Sequence, residues 1–473
     1  MLTVLSYQEA RIAQHKPFWQ DEGFEIYDTC AYPYSKFFVR GAPNACNVPP
    51  LHHIIQRAVS HGTRDFDDSI LLTYRIEPLA AGFVAMASVV YVGATLLGWS
   101  YGLFALALVG QRMIFHFYTT ETRPYSLWMG FFMLVVALTV RLSRKSWGEI
   151  TRGDKLWFAG ASFLLTFTSN PGWMQVGVCC FVLGMLSLVM DGSGGRKAFR
   201  YFGISGAIFA AIGLFYSRHA GFCAGSAAGP LNWDQIHSVR SLLWQDGLFA
   251  MPFNLLLVAG MAYVCVLFRR RSSWNARERQ LFALGALSWF FIGVFAATAV
   301  AVILYKYHFI QRMFLYLVFV RAFFVLLGLY GVVELVRARV SHPLLLRGAQ
   351  ALAIVGLLAY CGRILHRTHE YAGEFVMKYE ATASPAGKAC LPWSGELRPY
   401  VFTGREYGWE QPMNIVVDLG RELKRCGWPA AEPGKVQYIT QLNGEFAISD
   451  QPPTNGMVPV RHCGLEVRLK PDL

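Results

Sequence analysis

The chain has 473 residues, of which 54% are hydrophobic and 15% are charged, and its formal net charge at pH 7 is +13. Soluble domains carry about 25% charged residues, so the composition excludes a soluble globular protein and indicates a polytopic membrane protein. The positive charge lies mainly in short loops between apolar stretches and not in a basic patch, so nucleic acid is not an expected partner.

The first 76 residues form a polar segment that we predict to lie outside the bilayer. Residues 1–17 contain no apolar run, so they are neither a signal peptide nor a spanning helix. The pair Pro49-Pro50 predicts the start of a helix that carries His52 and His53. Cys30 and Cys46 lie in the same segment, and an extracytoplasmic compartment permits a disulfide between them.

Between residues 77 and 362 a series of apolar stretches predicts about ten spanning helices, although some stretches are shorter than the ~20 residues that a spanning helix needs. They cover residues 78–97, 101–118, 124–140, 156–169, 173–190, 201–216, 251–268, 281–304, 313–333 and 349–361. Asn170-Pro171-Gly172 predicts a tight turn between two of them. The sequence therefore predicts an all-α polytopic bundle.

Lys and Arg concentrate in the loops at 141–155, 196–200, 269–279 and 337–347. Loops of this kind stay on the cytoplasmic side during insertion. The segments 1–76 and 363–473 should then both lie on the external face, with an even number of spans between them.

The sequence of residues 363–473 predicts a small external α+β domain. Ile415, Leu419 and Leu423 recur every four residues, and Cys426-Gly427-Trp428-Pro429 indicates the end of that helix. Two strands are predicted, over residues 436–442 and 465–469. Elsewhere Cys179, Cys180 and Cys265 fall within spans and are expected to be small core residues.

Four short motifs on the predicted external side follow one another in the first 125 residues. They are Trp19-Gln20-Asp21-Glu22, Asn47-Val48-Pro49-Pro50-Leu51-His52, Tyr74-Arg75 and Tyr118-Thr119-Thr120-Glu121-Thr122-Arg123-Pro124-Tyr125. Taken together, they resemble the motifs of glycosyltransferases of the GT-C fold, which are polytopic enzymes that use polyprenyl-phosphate sugars. The chain is most similar to the branch that holds protein mannosyltransferases and the aminoarabinose transferases that modify lipid A.

The resemblance implies a GT-C-like helical bundle in a bacterial-type inner membrane, with its active site on the external face. Such an enzyme moves a sugar, with inversion, from a polyprenyl-phosphate donor to an envelope lipid, glycan or protein. The reaction needs a base for the acceptor and cations for the departing phosphate. The resemblance favours Asp21 as the base, and we expect Glu22 to orient the loop by hydrogen bonding.

The residues expected to bind substrate share these motifs or lie beside external helix ends. They are His52, His53, Arg75, Tyr118, Glu121, Arg123, Tyr125, Lys306 and Arg312. A divalent cation is the candidate cofactor, but no metal ligand is predicted, since adjacent histidines on a helix point in different directions.

Other interpretations stay open at this point. The chain could be a transporter or flippase of a lipid-linked glycan, although its spans carry little charge at mid-depth, or a non-catalytic relative of the family. The cations near helix ends also fit snorkelling anchors, and Glu121 and Arg123 fit a structural ion pair. Relatives have a spanning helix before the acidic loop, so we expect an apolar run of about 20 residues to be encoded upstream of Met1.

The charge pattern predicts sidedness that labelling can check. Cysteines introduced as Ser35→Cys and Gly456→Cys should react with a membrane-impermeant thiol reagent in intact cells, above the labelling of the unsubstituted chain. Ser146→Cys, in a loop predicted to be cytoplasmic, should react only after the cells are permeabilised. Protection of either external site in intact cells would overturn the predicted topology.

Overall fold

The computed structural model of the chain describes residues 1–16, 22, 34–35, 38, 49–62, 70–190, 193–217, 233–304, 311–340 and 342–382, together with five strands between 414 and 469. Within these ranges the α-helices are α1 Leu2–His15, α2 Leu51–Gly62, α3 Ile70–Leu97, α4 Trp99–Gly110, α5 Met113–Thr119, α6 Pro124–Leu142, α7 Arg152–Thr166, α8 Gly172–Met190, α9 Ser193–Ser217, α10 Trp233–Leu243, α11 Met251–Arg269, α12 Ala276–Leu304, α13 Leu317–Arg339 and α14 Pro343–Thr382.

Eight of the described helices are long and apolar enough to cross a bilayer, in agreement with an all-α polytopic membrane protein. They are α3, α6, α8, α9, α11, α12, α13 and α14. The predicted span 101–118 is instead two shorter helices, because Gln111 and Arg112 interrupt the apolar run between α4 and α5. The predicted span 156–169 is α7, which has 15 residues and carries charged residues in its first turn.

The predicted turn at Asn170-Pro171-Gly172 is confirmed, since α7 ends at Thr166 and α8 begins at Gly172. A Cβ atom on Gly172 would overlap the carbonyl oxygen of Leu165. The turn therefore needs a residue without a side chain at its end. A short link, residues 120–123, separates α5, which ends at Thr119, from α6, which begins at Pro124.

Helices α11 and α13 approach each other through two glycines. A Cβ on Gly260 would overlap the carbonyl oxygen of Phe324, and a Cβ on Gly328 would overlap that of Leu256. Each glycine thus lies against the carbonyl one turn before the other glycine. Small residues at such crossings let spanning helices pack closely without a hydrophobic driving force between them.

The chain divides into two compact units. The first unit comprises Met1–Ser6, Ala80–Thr119 and Tyr125–Thr368, and the second comprises Tyr7–Leu79, Thr120–Pro124 and His369–Leu473. The second unit therefore draws on both the first and the last of the three segments that the sequence suggested. Within it, the side chains of Gln8 and Arg11 on α1 each contact Nδ1 of His369 on α14 at 3.2 Å.

Helix α14 continues into the C-terminal segment as far as Thr382, and the described residues beyond it form antiparallel strands. They are β1 Asn414–Val417, β2 Tyr438–Leu442, β3 Glu445–Ser449, β4 Val458–His462 and β5 Leu465–Leu469, arranged as a sheet β1-β5-β4 and a hairpin β2-β3. The predicted strand over residues 465–469 is β5, and β2 covers residues 438–442 of the predicted strand over residues 436–442. The predicted helix is wrong at Ile415, which pairs with Val467 in the sheet, while Leu419 and Leu423 lie outside the described residues.

The cysteines follow the sequence analysis in part. Cys179 and Cys180 are buried in the core of the first unit, as predicted. Cys265 is exposed on α11, so it is not a core residue. Cys30 and Cys46 lie outside the described residues, and their disulfide stays a prediction.

The glycine contact between α11 and α13 predicts a stability effect. Gly328→Ala should destabilise the protein by about 1–3 kcal/mol, because the new methyl group forces the two backbones apart. The measurement is thermal unfolding of the purified full chain in detergent. Gly293→Ala on α12 is the matched control, since a Cβ there meets no atom within 4 Å. Equal unfolding midpoints for both variants would show that the crossing is loose.

Candidate functional site

Arg75 and Glu22 form a buried, two-pronged ion pair in the second unit. Both side chains are fully buried. Nε of Arg75 donates to Oε1 of Glu22 at 3.1 Å, and Nη2 donates to Oε1 at 3.0 Å and to Oε2 at 2.9 Å. Two parallel charge-assisted bonds of this kind fix orientation as well as supplying energy. Glu22, from the acidic motif, is thereby held against the start of α3.

The remaining guanidinium nitrogen of Arg75 binds the end of α1. Nη1 donates to the carbonyl oxygen of Ala13 at 2.9 Å and also to that of Lys16. The last carbonyls of a helix have no partner within the helix and carry a partial negative charge. Arg75 satisfies them with a full positive charge, so the same side chain positions α1 and Glu22 together.

Thr122, in the link between α5 and α6, forms hydrogen bonds with Glu22 and with the residue that precedes Arg75. Its backbone N–H donates to Oε1 of Glu22 at 2.7 Å, and its hydroxyl donates to the carbonyl of Tyr74 at 3.1 Å. The hydrogen bonds that the sequence analysis expected of Glu22 are therefore present. Both of its carboxylate oxygens are engaged by these partners.

Lys16 and Glu121 form a second buried ion pair in the same unit. Nζ of Lys16 lies 2.8 Å from Oε1 of Glu121, and the side chains are 4% and 0% exposed. Burial lowers the pKa of Lys16 and raises the pKa of Glu121, and the attraction between the two charges opposes both shifts. Glu121 pairs with Lys16 and not with Arg123, and its Oε2 has no hydrogen-bond partner among the described residues.

A polar cluster joins α2 to α3. Nδ1 of His52 lies 3.1 Å from Oε2 of Glu77. Nε2 of Gln56 donates to the same oxygen at 2.7 Å and to the carbonyl of Tyr74 at 2.9 Å. His52 and Gln56 are four residues apart and so share one face of α2. The ring of His53, also buried, lies edge-on to that of His52 with centroids 5.2 Å apart.

The predicted site residues that the structure describes are divided between the two units. Glu22, His52, His53, Arg75, Glu121 and Arg123 belong to the second unit. In the first unit, the ring of Tyr125 lies edge-on to Tyr118 at 5.1 Å between centroids, and the guanidinium of Arg312 lies 6.0 Å from the ring centroid of Tyr125. Asp21 and Lys306 lie outside the described residues.

Sequence reasoning missed Lys16, Gln56, Glu77 and Thr122. For Glu77 a signal existed, because an acidic side chain at the start of an apolar span is costly and so suggests a function or a specific partner. Lys16 carried no such signal, since a lysine at the end of a short polar helix is usually solvated. Its partner stands 105 positions later in the chain.

Within the described part of the chain, no three His, Cys, Asp or Glu side chains lie close enough together to hold a metal ion. The divalent cation stays a prediction. Models of known protein families do not match the sequence, and no curated protein matches it significantly. The resemblance therefore depends on the motif residues, and the structure brings Glu22, His52, Arg75 and Glu121 into one unit.

The Lys16–Glu121 pair predicts strong energetic coupling. Lys16→Met or Glu121→Leu alone should cost about 3–5 kcal/mol, because each breaks a buried ion pair by removing one of its charges, whereas the double variant should recover much of that loss. Thermal unfolding of the purified full chain in detergent measures the cycle.

The exposed pair between Arg240 and Asp246 provides the control, since its atoms also approach closely, at 2.6 Å, but its side chains are about half exposed. Arg240→Met and Asp246→Leu should each change stability by no more than about 1 kcal/mol. Additive losses at Lys16 and Glu121 would contradict the buried-pair interpretation.

Proposed function

We propose that the chain is a membrane glycosyltransferase of the GT-C type, which moves a sugar from a polyprenyl-phosphate donor to a cell-envelope acceptor on the external face. The observation that carries the proposal is the meeting of residues from four separate motifs in one unit. Glu22, His52, Arg75 and Glu121 are spread over a hundred positions of sequence, yet all are buried in the second unit. Such a transferase needs a site to which several loops and helix ends contribute residues.

The hydrogen bonds of Glu22 support Asp21 as the general base. A base must reach the acceptor hydroxyl or amine with a free oxygen. Glu22 instead binds Arg75 through both oxygens and accepts from the backbone of Thr122. The neighbouring acid in the sequence, Asp21, then takes the proton, while Glu22 anchors the loop that carries it.

Arg75 is better suited to positioning than to phosphate binding. Its Nε, Nη1 and Nη2 all donate to groups of the protein itself. The departing phosphate is then stabilised by the other predicted cations, Arg123, Arg312 and Lys306, whose positive charge lowers the energy of the developing anion. A transporter or a non-catalytic relative would share phosphate binding but not turnover.

Turnover of the sugar donor distinguishes a transferase from a transporter or a non-catalytic relative. Purified full chain, supplied with a panel of radiolabelled polyprenyl-phosphate sugars and envelope lipid as acceptor, should release polyprenyl phosphate. Asp21→Asn should lower turnover by about 10²–10⁴-fold, because it removes the proton acceptor and preserves the shape. Donor binding should be unchanged, since the cations are untouched.

Asp246→Asn is the control for loss of an acidic residue elsewhere, since Asp246 is about half exposed and lies in the first unit. It should leave turnover unchanged. Near-normal turnover by folded Asp21→Asn would refute the assignment of the base. Release of no polyprenyl phosphate with any donor, by a chain that binds them, would favour the transporter or the non-catalytic relative.

A further inference from the structure

Two buried arginines stand apart from the site described above. Arg112 lies between α4 and α5, Arg321 lies near the start of α13, and both belong to the first unit. They are 9% and 2% exposed, respectively. Arginine stays protonated in proteins, so the protein carries two positive charges in places that water barely reaches.

Both arginines bind the C-terminal end of α10. Nη2 of Arg112 donates to the carbonyl oxygen of Ser241 at 2.7 Å. Nε of Arg321 donates to the carbonyl oxygen of Leu243 at 2.9 Å, and its Nη2 lies 3.4 Å from Oδ1 of Asn254. The end of a helix supplies a partial charge of roughly −0.5, which balances a minor part of two full positive charges.

No acidic side chain among the described residues neutralises the remaining positive charge of Arg112 and Arg321. Neither arginine is in an ion pair with a described carboxylate. Asp246, the acid that follows α10, is bound by Arg240 at 2.6 Å and by His237 at 3.1 Å. Burial and the positive charges of Arg321 and Arg367 lower the pKa of Arg112 to about 10, which leaves it charged at neutral pH.

An excess of buried positive charge is costly unless an anion completes the site. Guanidinium groups match phosphate oxygens in shape and charge, because their N–H groups form a planar fork. We propose that Arg112 and Arg321 bind the phosphate group of a lipid at the end of α10. This site is additional to the glycosyl-transfer site and does not depend on sugar transfer.

The surroundings favour a lipid over a free phosphate. Phe104, Phe253 and Tyr360 form an aromatic cluster with ring centroids 5.5–6.4 Å apart. Phe253 precedes the Asn254 that contacts Arg321, and the hydroxyl of Tyr360 donates to Gln111, the neighbour of Arg112, at 2.7 Å. On the same helix as Tyr360, the apolar side chains Leu352 and Val355 are exposed. These exposed apolar side chains give the hydrocarbon chain of such a lipid a surface to lie along on α14.

Lipid binding to the purified full chain in detergent tests the site. The probes are a short-chain polyprenyl phosphate, the corresponding uncharged prenol, phosphatidylglycerol and inorganic phosphate, with native mass spectrometry as the measurement. Because the proposed donor site also binds polyprenyl phosphate, the variants are compared on the second lipid bound per chain, which native mass spectra resolve. Arg112→Gln and Arg321→Gln should each weaken the binding of that second lipid by roughly tenfold or more, because each removes charge-assisted hydrogen bonds. Arg339→Gln, at the exposed other end of α13, should bind as the unchanged protein does.

The probes also identify the source of the phosphate. Preference for polyprenyl phosphate or for phosphatidylglycerol over prenol and inorganic phosphate supports the lipid site and says which lipid occupies it. Equal binding of inorganic phosphate and lipid phosphate would overturn the lipid assignment, and undiminished lipid binding by folded Arg112→Gln would overturn the site itself.

Two further variants keep the test decisive. If Arg321→Gln fails to fold, Arg112→Gln decides the outcome, since Arg112 lies outside the helices and contacts α10 through one hydrogen bond. Arg112→Lys keeps the charge but loses the fork, so its binding should fall between those of the unchanged protein and Arg112→Gln. Arg123→Gln, which removes a cation of the proposed donor site, should leave the lipid bound at Arg112 and Arg321 in place, which separates failure of this site from failure of the proposed transferase.

Discussion

The second unit depends on the burial of one guanidinium group, that of Arg75. Such a group is tolerated in an apolar interior only when its N–H groups are satisfied and its charge is balanced. Glu22 supplies the balancing charge, and the end of α1 supplies the carbonyls of Ala13 and Lys16. Three segments of the chain are therefore fixed by the requirements of a single side chain.

A second balanced pair follows from the first. Lys16, whose carbonyl is bound by Arg75, extends its ammonium group to Glu121. Thr122, the next residue, then donates to Glu22. The charges of Lys16, Glu22, Arg75 and Glu121 sum to zero, which is what burial demands. An arrangement of this kind fixes the four side chains relative to one another.

The buried arginines of the first unit have different partners from Arg75. Arg112 and Arg321 share the partial negative charge at the end of α10 and have no carboxylate partner among the described residues. The contrast with Arg75 is the basis for assigning them an anionic ligand. The balanced charges of the second unit stabilise its fold. The unbalanced positive charges of the first unit, beside an exposed apolar helix, indicate that an anion from outside the chain completes their site.

The sequence by itself determined the membrane class, eight of the predicted spans, the turn at Gly172 and two of the strands. Apolar length, turn residues and alternation are local properties, so they can be detected without the fold. Only the tertiary structure decided that Lys16 meets Glu121 and that Ile415 lies in a strand. It also decided that Arg112 breaks an apparent span. A side chain's charge balance depends on partners far away in sequence and on whether water reaches it, and neither exists before the chain has folded.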